Sequence, residues 1–203
     1  MTEEDLRDQL KPLLPNVPIY CNDAGEHSDQ VIMLATVSLQ SGVSASLPHL
    51  RLVQKLGAGV DSIVSDPNLA DNVRVTRLRP EAPAREIAEY CLAYVLRDQR
   101  NMDFHRLHQA KAQWAQCAPR KTPQTTVGIL GLGHIGGRTA STFSSLGFRV
   151  LGWSRSPKSI PGVACHHGTE ALNSLLSKCD YVASILPSTP STAAYSTMPD
   201  SPL

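Results

Sequence analysis

Three features are missing from this sequence of 203 residues, and each absence excludes a class of protein. The five cysteines are an odd number and never stand in CxxC spacing, which argues against a disulfide framework and a zinc site. No apolar stretch approaches a membrane span, and the acidic N-terminus lacks the apolar core of a signal peptide. No run of like charge is present, and a net charge of +1 gives no electrostatic reason to bind nucleic acid or an anionic membrane. We therefore expect a cytoplasmic protein with reduced thiols and no metal.

Short apolar runs alternate with helix-like stretches, and this alternation predicts an α/β fold in two lobes. In the first lobe, VPIYC, QVIMLAT, LRLVQKL and VRVTRL are predicted strands, each bounded by Gly, Pro, Asn or Asp. The longest helical pattern runs from Glu81 to about Gln113. Its predicted apolar face consists of Ile87, Tyr90, Cys91, Tyr94 and Val95. From Thr126 the order strand, helix, strand, helix, strand is the doubly wound pattern of a parallel sheet.

A glycine motif lies inside that second pattern. Gly131, Gly133 and Gly136 make GxGxxG between a predicted strand and a predicted helix, the context in which the motif binds a dinucleotide. Gly131 permits the tight turn, Gly133 lets the backbone approach a pyrophosphate, and Gly136 lets the helix pack on the strand. The first N–H groups of the helix then face the phosphates. The alternative is a glycine-rich turn without a ligand.

The strand after this helix ends without the acidic side chain that holds the adenosine ribose of NAD. The sequence there is GWSRSPK, and its polar residues are Ser154, Arg155, Ser156 and Lys158. A guanidinium, hydroxyls and an ammonium suit a ribose phosphate better than free hydroxyls. We therefore expect NADP(H), with NAD(H) as the alternative. A further alternative is that Arg155 and Lys158 form only a solvated loop.

A second glycine-containing stretch, LVQKLGAGVDSI, lies in the first lobe. It places Leu56, Gly57, Ala58 and Gly59 directly after a predicted strand. Two glycines flanking an alanine let successive N–H groups point the same way and form a nest for a carboxylate. Asp61 is expected to cap the helix that follows. Taken alone, the stretch is more simply an ordinary strand-to-helix turn.

Five stretches in order resemble the D-isomer-specific 2-hydroxyacid dehydrogenases of the glyoxylate/hydroxypyruvate reductase A type. They are KLGAGVDSI, EIAEYCLAYVLRDQR, TVGILGLGHIGGRTA, GWSRSPK and ILPSTPST, and the resemblance covers about residues 20–195. It implies a flavodoxin-like substrate lobe at 1–79 and a partial Rossmann lobe at 80–203 that binds the cofactor and is incomplete at its C-terminus. It also implies reduction of a small 2-keto acid such as glyoxylate or hydroxypyruvate, and a homodimer formed through the helix near residues 86–100.

The resemblance also assigns roles to residues. It implies that the backbone from Leu56 to Gly59 binds the substrate carboxylate. In the second lobe the glycine-rich turn follows the pyrophosphate, the GWSRSPK side chains meet the ribose phosphate, and the LPSTPST segment flanks the riboses. The cofactor residues so assigned are Gly131, Leu132, Gly133, His134, Ile135, Gly136, Ser154, Arg155, Ser156, Lys158, Leu186, Pro187, Ser188, Thr189 and Thr192.

The chemistry of this family needs three residues downstream of LPSTPST. They are an Arg that polarises the keto group, a His that protonates its oxygen, and a Glu or Asp bonded to that His. No such segment precedes Leu203, and no His follows His167. His166 and His167 are expected in a surface loop, the wrong place for a proton donor. We therefore assign no catalytic residue and expect little turnover from these residues; the alternative is a non-catalytic form that binds dinucleotide or dimerises.

Overall fold

A computed structural model of the chain describes residues 2–40, 42–187 and 192. The chain divides into two compact units, Met1–Leu78 and Arg79–Leu203. Each unit has its own sheet, and the paired strands of both sheets run parallel. The predicted α/β fold with parallel sheets is confirmed.

The first unit contains a three-stranded sheet in the order β1-β2-β3. Its elements are helix α1 (Glu3–Leu10), strand β1 (Met33–Thr36), strand β2 (Leu52–Lys55), the short helix α2 (Asp61–Val64) and strand β3 (Arg74–Arg77), with 3-10 turns at Gly25–Gln30 and Ser44–Ser46. The core forms around Val53 of the central strand, which packs with Leu47, Leu50 and Ile63. Burying these side chains is the main favourable contribution to folding of this unit.

Two expectations for the first unit are wrong. The stretch VPIYC forms no strand, because Pro18 in its middle has no N–H to donate to a ladder. Asp61 does not cap α2, since it is the first helical residue and Val60 occupies the cap position without a side-chain bond. Helix α1 was not predicted, although its start carries a capping box in which Thr2 and Asp5 bond reciprocally.

The second unit contains a four-stranded sheet in the order β6-β5-β4-β7. Its elements are α3 (Glu81–Gln99), α4 (Met102–Ala110), a 3-10 turn (Thr122–Gln124), β4 (Thr126–Leu130), α5 (His134–Ser145), β5 (Arg149–Ser154), β6 (Val163–His167), α6 (Thr169–Leu176) and β7 (Tyr181–Ser184). All residues of β4 are buried, as expected for a parallel strand covered on both faces. The strand order matches that of the first four strands of a doubly wound nucleotide-binding sheet.

The long helix predicted from Glu81 to Gln113 is two helices. The chain breaks after α3 at Asn101, whose φ of 51° is left-handed, a conformation that Asn tolerates. The predicted apolar face is also partly wrong, since Tyr90 and Tyr94 are 64% and 56% exposed. Cys91 and Val95 of that face do pack in the core cluster that contains Ala140 and Phe143 of α5.

His166 and His167 lie on a strand, not in the expected surface loop. They end β6, and the register pairs them with Trp153 and Ser154 of β5. The Trp153 indole N–H donates to Gly168 O at 2.7 Å, which fixes the turn that follows β6. A five-residue run with two polar histidines carries too little hydrophobic pattern to predict an edge strand.

Hydrogen bonds to two carboxylates fix the start of β7. Asp180 accepts from the Thr126 N–H at 2.8 Å and lies 2.6 Å from the Arg120 guanidinium. The Tyr181 hydroxyl donates to Asp98 at 2.5 Å. Burial, followed by this hydrogen bond, raises the pKa of Tyr181 to about 12, so its phenol stays neutral and remains a donor.

We expect Asp180→Ala to lower the free energy of unfolding by about 1–3 kcal/mol, because it leaves the Thr126 N–H without an acceptor in a residue that is only 4% exposed. Asp180→Asn keeps an acceptor oxygen and is expected to cost less. Urea unfolding followed by tryptophan emission measures both. Equal losses for the two variants would show that the Arg120 ion pair, not the buried N–H, carries the effect.

Candidate functional site

The glycine-rich turn lies at the carboxyl end of β4, the edge where open parallel sheets bind ligands. The Gly131 N–H donates to Trp153 O at 2.8 Å, and the Ile185 N–H donates to Leu130 O at 2.7 Å. Gly131 has a φ of +96°, and a Cβ there would lie 2.7 Å from Ile185 O. Position 131 therefore requires glycine, because its φ is left-handed and because a Cβ would collide with the Ile185 carbonyl oxygen.

Helix α5 packs directly against this turn. A Cβ on Gly136 would lie 1.8 Å from Gly131 O, a distance at which no side chain fits. Gly136 is buried in the interface between the helix and the turn. The absence of a side chain at this position allows the first turn of α5 to reach the end of β4.

Gly133 differs from these two glycines. It is the N-cap residue of α5, with a φ of −77°, and a Cβ built there meets nothing within 4 Å. No side chain caps the helix, and among the described residues none accepts from the N–H groups of His134, Ile135 or Gly136. Unpaired donors beside open space at a helix start fit an anionic group such as a pyrophosphate.

The side chains of the turn are engaged elsewhere, so its backbone is the part left for a ligand. Leu132 is buried against Gly152, where a Cβ would lie 2.8 Å from its methyl carbons. The His134 ring nitrogen lies 3.3 Å from Pro80 O and 3.7 Å from the Glu81 carboxylate. Sequence reasoning missed Gly152, although an isolated glycine in a strand signals close approach of this kind.

The end of β5 carries positive charge and no acidic side chain. Ser154 is buried and donates its hydroxyl to Ser156 O at 2.7 Å, so it organises the loop. Arg155, Ser156 and Lys158 are exposed. In the part of the chain that the structure describes, neither Arg155 nor Lys158 forms an ion pair. These two cations are therefore available to a phosphate.

The segment after β7 lies partly outside the described residues. Leu186 lies beside the turn, with a methyl carbon 3.2 Å from the Cβ position of Gly131. Pro187 is exposed, and its carbonyl accepts from the Thr192 hydroxyl. Ser188 and Thr189, also expected to bind the cofactor, are outside the described residues.

In the first unit, the loop Leu56–Gly59 is fixed by its carbonyl groups. The Leu78 N–H donates to Gly57 O at 3.2 Å, and the Arg77 guanidinium donates to Ala58 O at 2.7 Å. In a trans peptide the N–H points opposite to the C=O, so the Ala58 N–H points away from the Leu78 N–H, and the Gly59 N–H points away from the Arg77 guanidinium. Neither glycine of the loop has the left-handed φ of a typical nest.

No described residue accepts from the N–H groups of Ala58 and Gly59. Two unpaired donors on consecutive residues suit a carboxylate, which accepts through both oxygens. Sequence reasoning missed the contribution of Arg77, because no local pattern connects it to a carbonyl 19 positions earlier in the chain.

Neither a metal site nor a membrane-spanning helix is found in the described ranges. No group of three or more His, Cys, Asp or Glu side chains there could hold a metal ion. No helix among these residues is both long enough and apolar enough to span a membrane. All five cysteines are free, and burial raises the pKa of the Cys91 and Cys179 thiols.

Comparison with known proteins identifies the second unit. The family profile described as "D-isomer specific 2-hydroxyacid dehydrogenase, NAD binding domain" matches residues 92–197. A glyoxylate/hydroxypyruvate reductase A from Serratia proteamaculans is 37% identical over 154 residues, which are 73% of this chain and 49% of that protein. The chain thus spans about half the length of this curated relative.

Solved structures extend the similarity to nearly the whole chain. A D-isomer specific 2-hydroxyacid dehydrogenase from Xanthobacter autotrophicus, in complex with NADPH and MES, has 34% identity and a TM-score of 0.83 over 95% of this chain and 62% of that one. An NADPH-dependent glyoxylate/hydroxypyruvate reductase from Sinorhizobium meliloti, in complex with NADP and sulfate, has 25% identity and a TM-score of 0.79 over 93% of this chain and 60% of that one.

Two glycines of the turn form a matched test of the fold. Gly136→Ala is expected to destabilise the second unit by at least about 1–3 kcal/mol, because its Cβ meets the Gly131 carbonyl. Gly133→Ala meets nothing and needs no left-handed φ, so its unfolding free energy should stay within about 0.5 kcal/mol of the wild type. Urea unfolding checks both variants. A large loss of unfolding free energy in Gly133→Ala would mean that the fold itself, and not only a ligand, requires the space beside this residue.

Proposed function

The chain belongs to the D-isomer specific 2-hydroxyacid dehydrogenase family, and from this membership we propose that its second unit binds a nicotinamide dinucleotide. The observation that carries the proposal is the start of α5, where unpaired N–H groups adjoin the open space at Gly133. These N–H groups bind the pyrophosphate, and Gly131 and Gly136 bring them to the end of β4.

Gly133→Ala, which the fold accommodates, is expected to weaken dinucleotide binding about tenfold or more, since its methyl group enters that space.

The preferred cofactor is NADP(H). Arg155 and Lys158 supply two positive charges at the end of β5, and the strand ends in Ser154 where NAD-binding sheets carry an acid. A ribose phosphate offers these cations charge-assisted hydrogen bonds that a ribose hydroxyl does not. The two related structures with NADPH and NADP are consistent with this preference.

The reaction is the reduction of a small 2-keto acid such as glyoxylate or hydroxypyruvate, which the names of the related enzymes suggest. The backbone N–H groups of Ala58 and Gly59 hold the carboxylate of the acid. When bound, the nicotinamide supplies the hydride that reduces the keto carbon. A polypeptide of these residues is expected to bind the cofactor with little turnover, because we assign none of its histidines as the proton donor.

A second candidate function is association without catalysis. Tyr90 and Tyr94 lie on the exposed side of α3, with ring centroids 4.8 Å apart, and provide apolar area for contact with a second copy of this chain. We therefore keep the homodimer through α3 as part of the proposal, with light scattering of the purified chain as its test. The cytoplasmic location stays a prediction.

The cofactor preference can be tested by charge removal. We expect Arg155→Gln with Lys158→Gln to weaken NADPH binding by about tenfold to a hundredfold and to leave NADH binding unchanged, because only NADPH carries the ribose phosphate. Arg149→Gln is the matched control, since Arg149 is exposed at the opposite end of the same strand. Titration calorimetry with both cofactors measures the effect. An equal loss of NADPH and NADH affinity would argue that the cations do not select the phosphate.

Turnover is tested separately from binding. The purified chain is mixed with NADPH and glyoxylate or hydroxypyruvate, and oxidation is followed by the absorbance of the reduced nicotinamide. We expect saturable cofactor binding with a rate several orders of magnitude below that of a full-length relative, because the general acid and the polarising Arg of the family are not assigned here. A rate close to that of the relative would refute the low-turnover proposal. Failure to bind either cofactor would refute the proposed function as a whole.

A further inference from the structure

Two positively charged side chains end neighbouring strands of the first unit. Lys55 is the last residue of β2 and Arg77 the last residue of β3, and the register pairs them directly. Register partners in a sheet project from the same face, and like charges in such positions repel. Neither side chain forms an ion pair with a carboxylate of the residues that the structure describes. The pair therefore stands at the carboxyl edge of the sheet without a counter-ion.

Arg77 has a defined contact with the loop Leu56–Gly59. Its Nη1 donates to Ala58 O at 2.7 Å. This bond sets the plane of the Ala58–Gly59 peptide and so directs the Gly59 N–H away from the guanidinium. Arg77 therefore acts on the loop through the Ala58 carbonyl, on the side of the peptide opposite to the Gly59 N–H.

Lys55 lies against the same loop from the strand before it. Its Cε is 3.5 Å from the Cβ position of Gly57, so the side chain folds over the loop and carries its ammonium there. Lys55 is half-buried. The side-chain amide of the neighbouring Gln54 donates to Lys55 O and accepts from the Thr76 hydroxyl. The Lys55 side chain and the loop with its two unpaired N–H donors thus belong to one small region.

We propose that Lys55 and Arg77 complete an anion site on this loop. Arg77 is a positioning residue that holds the Ala58 carbonyl so that the Gly59 N–H faces the ligand, and Lys55 supplies the positive charge for a carboxylate. The Lys55 charge strengthens binding of the carboxylate of a 2-oxo acid, and it binds a dianionic analogue more strongly still. The inference rests on the proposed function, because it takes the carboxylate of the keto acid as the occupant of the loop.

The test uses the full chain labelled with ¹⁵N, titrated with sodium oxalate and with glyoxylate at constant ionic strength. We expect the amide signals of Ala58 and Gly59 to move saturably, with oxalate binding more tightly. Lys55→Met and Arg77→Met should each weaken oxalate binding about tenfold, the effect of losing one charged hydrogen bond. Arg74→Met, at the opposite end of β3, is the matched control and should bind as the wild type does.

Two readouts separate positioning from charge. In the absence of anion, Arg77→Met should shift the Gly59 amide signal, whereas Lys55→Met should leave that signal in place. Arg77→Lys should restore part of the oxalate affinity that Arg77→Met loses, because an ammonium can donate to the Ala58 carbonyl. NADPH binding, which the second unit is proposed to provide, should be unchanged in every variant. Saturable binding that neither substitution weakens would overturn the roles of Lys55 and Arg77 and leave the carboxylate loop intact. No response of the wild-type Ala58 and Gly59 signals would overturn the loop as well.

Discussion

The contact between Gly136 and the Gly131 carbonyl is the constraint on which the second unit depends. A distance that excludes even a methyl group brings the start of α5 onto the end of β4. From that contact follow the left-handed turn at Gly131 and the open N-cap at Gly133. Leu132, directed inward by the same turn, fills the space above Gly152. One close approach of two backbones therefore creates both the core packing and the row of unpaired donors.

The first unit leaves its donors unpaired by a different physical means. The glycines of its loop have no left-handed φ, and the helix that follows has only four residues. The Leu78 N–H and the Arg77 guanidinium bind the Gly57 and Ala58 carbonyl groups, and the N–H groups on the other side of the same two peptides stay unpaired. The anion sites that we propose thus depend once on a helix start and once on carbonyl groups held by main-chain and side-chain donors.

Local patterns predicted the parts of the structure whose causes are local. The strand, glycine turn and helix from Thr126 to Ser145 follow from spacing within one βαβ unit, and the basic residues after β5 follow from a seven-residue stretch. The break at Asn101 and the edge strand β6 depend on tertiary packing and strand pairing, which no short window contains. The bond from Arg77 to Ala58 joins two strands and leaves no periodic signal.

The anion sites that we propose depend on the position of charged groups and not on an excess of charge. The net charge of +1 carries no information about local clusters of charge. Both sheets end in cations without carboxylate partners among the residues described, Lys55 with Arg77 and Arg155 with Lys158. Lys55 and Arg77 are register partners, so their like charges repel, a cost that a bound anion removes. The carboxyl edge of a parallel sheet is where ligands of such folds bind, and we therefore propose that each sheet of this nearly neutral protein holds one anionic group at that edge.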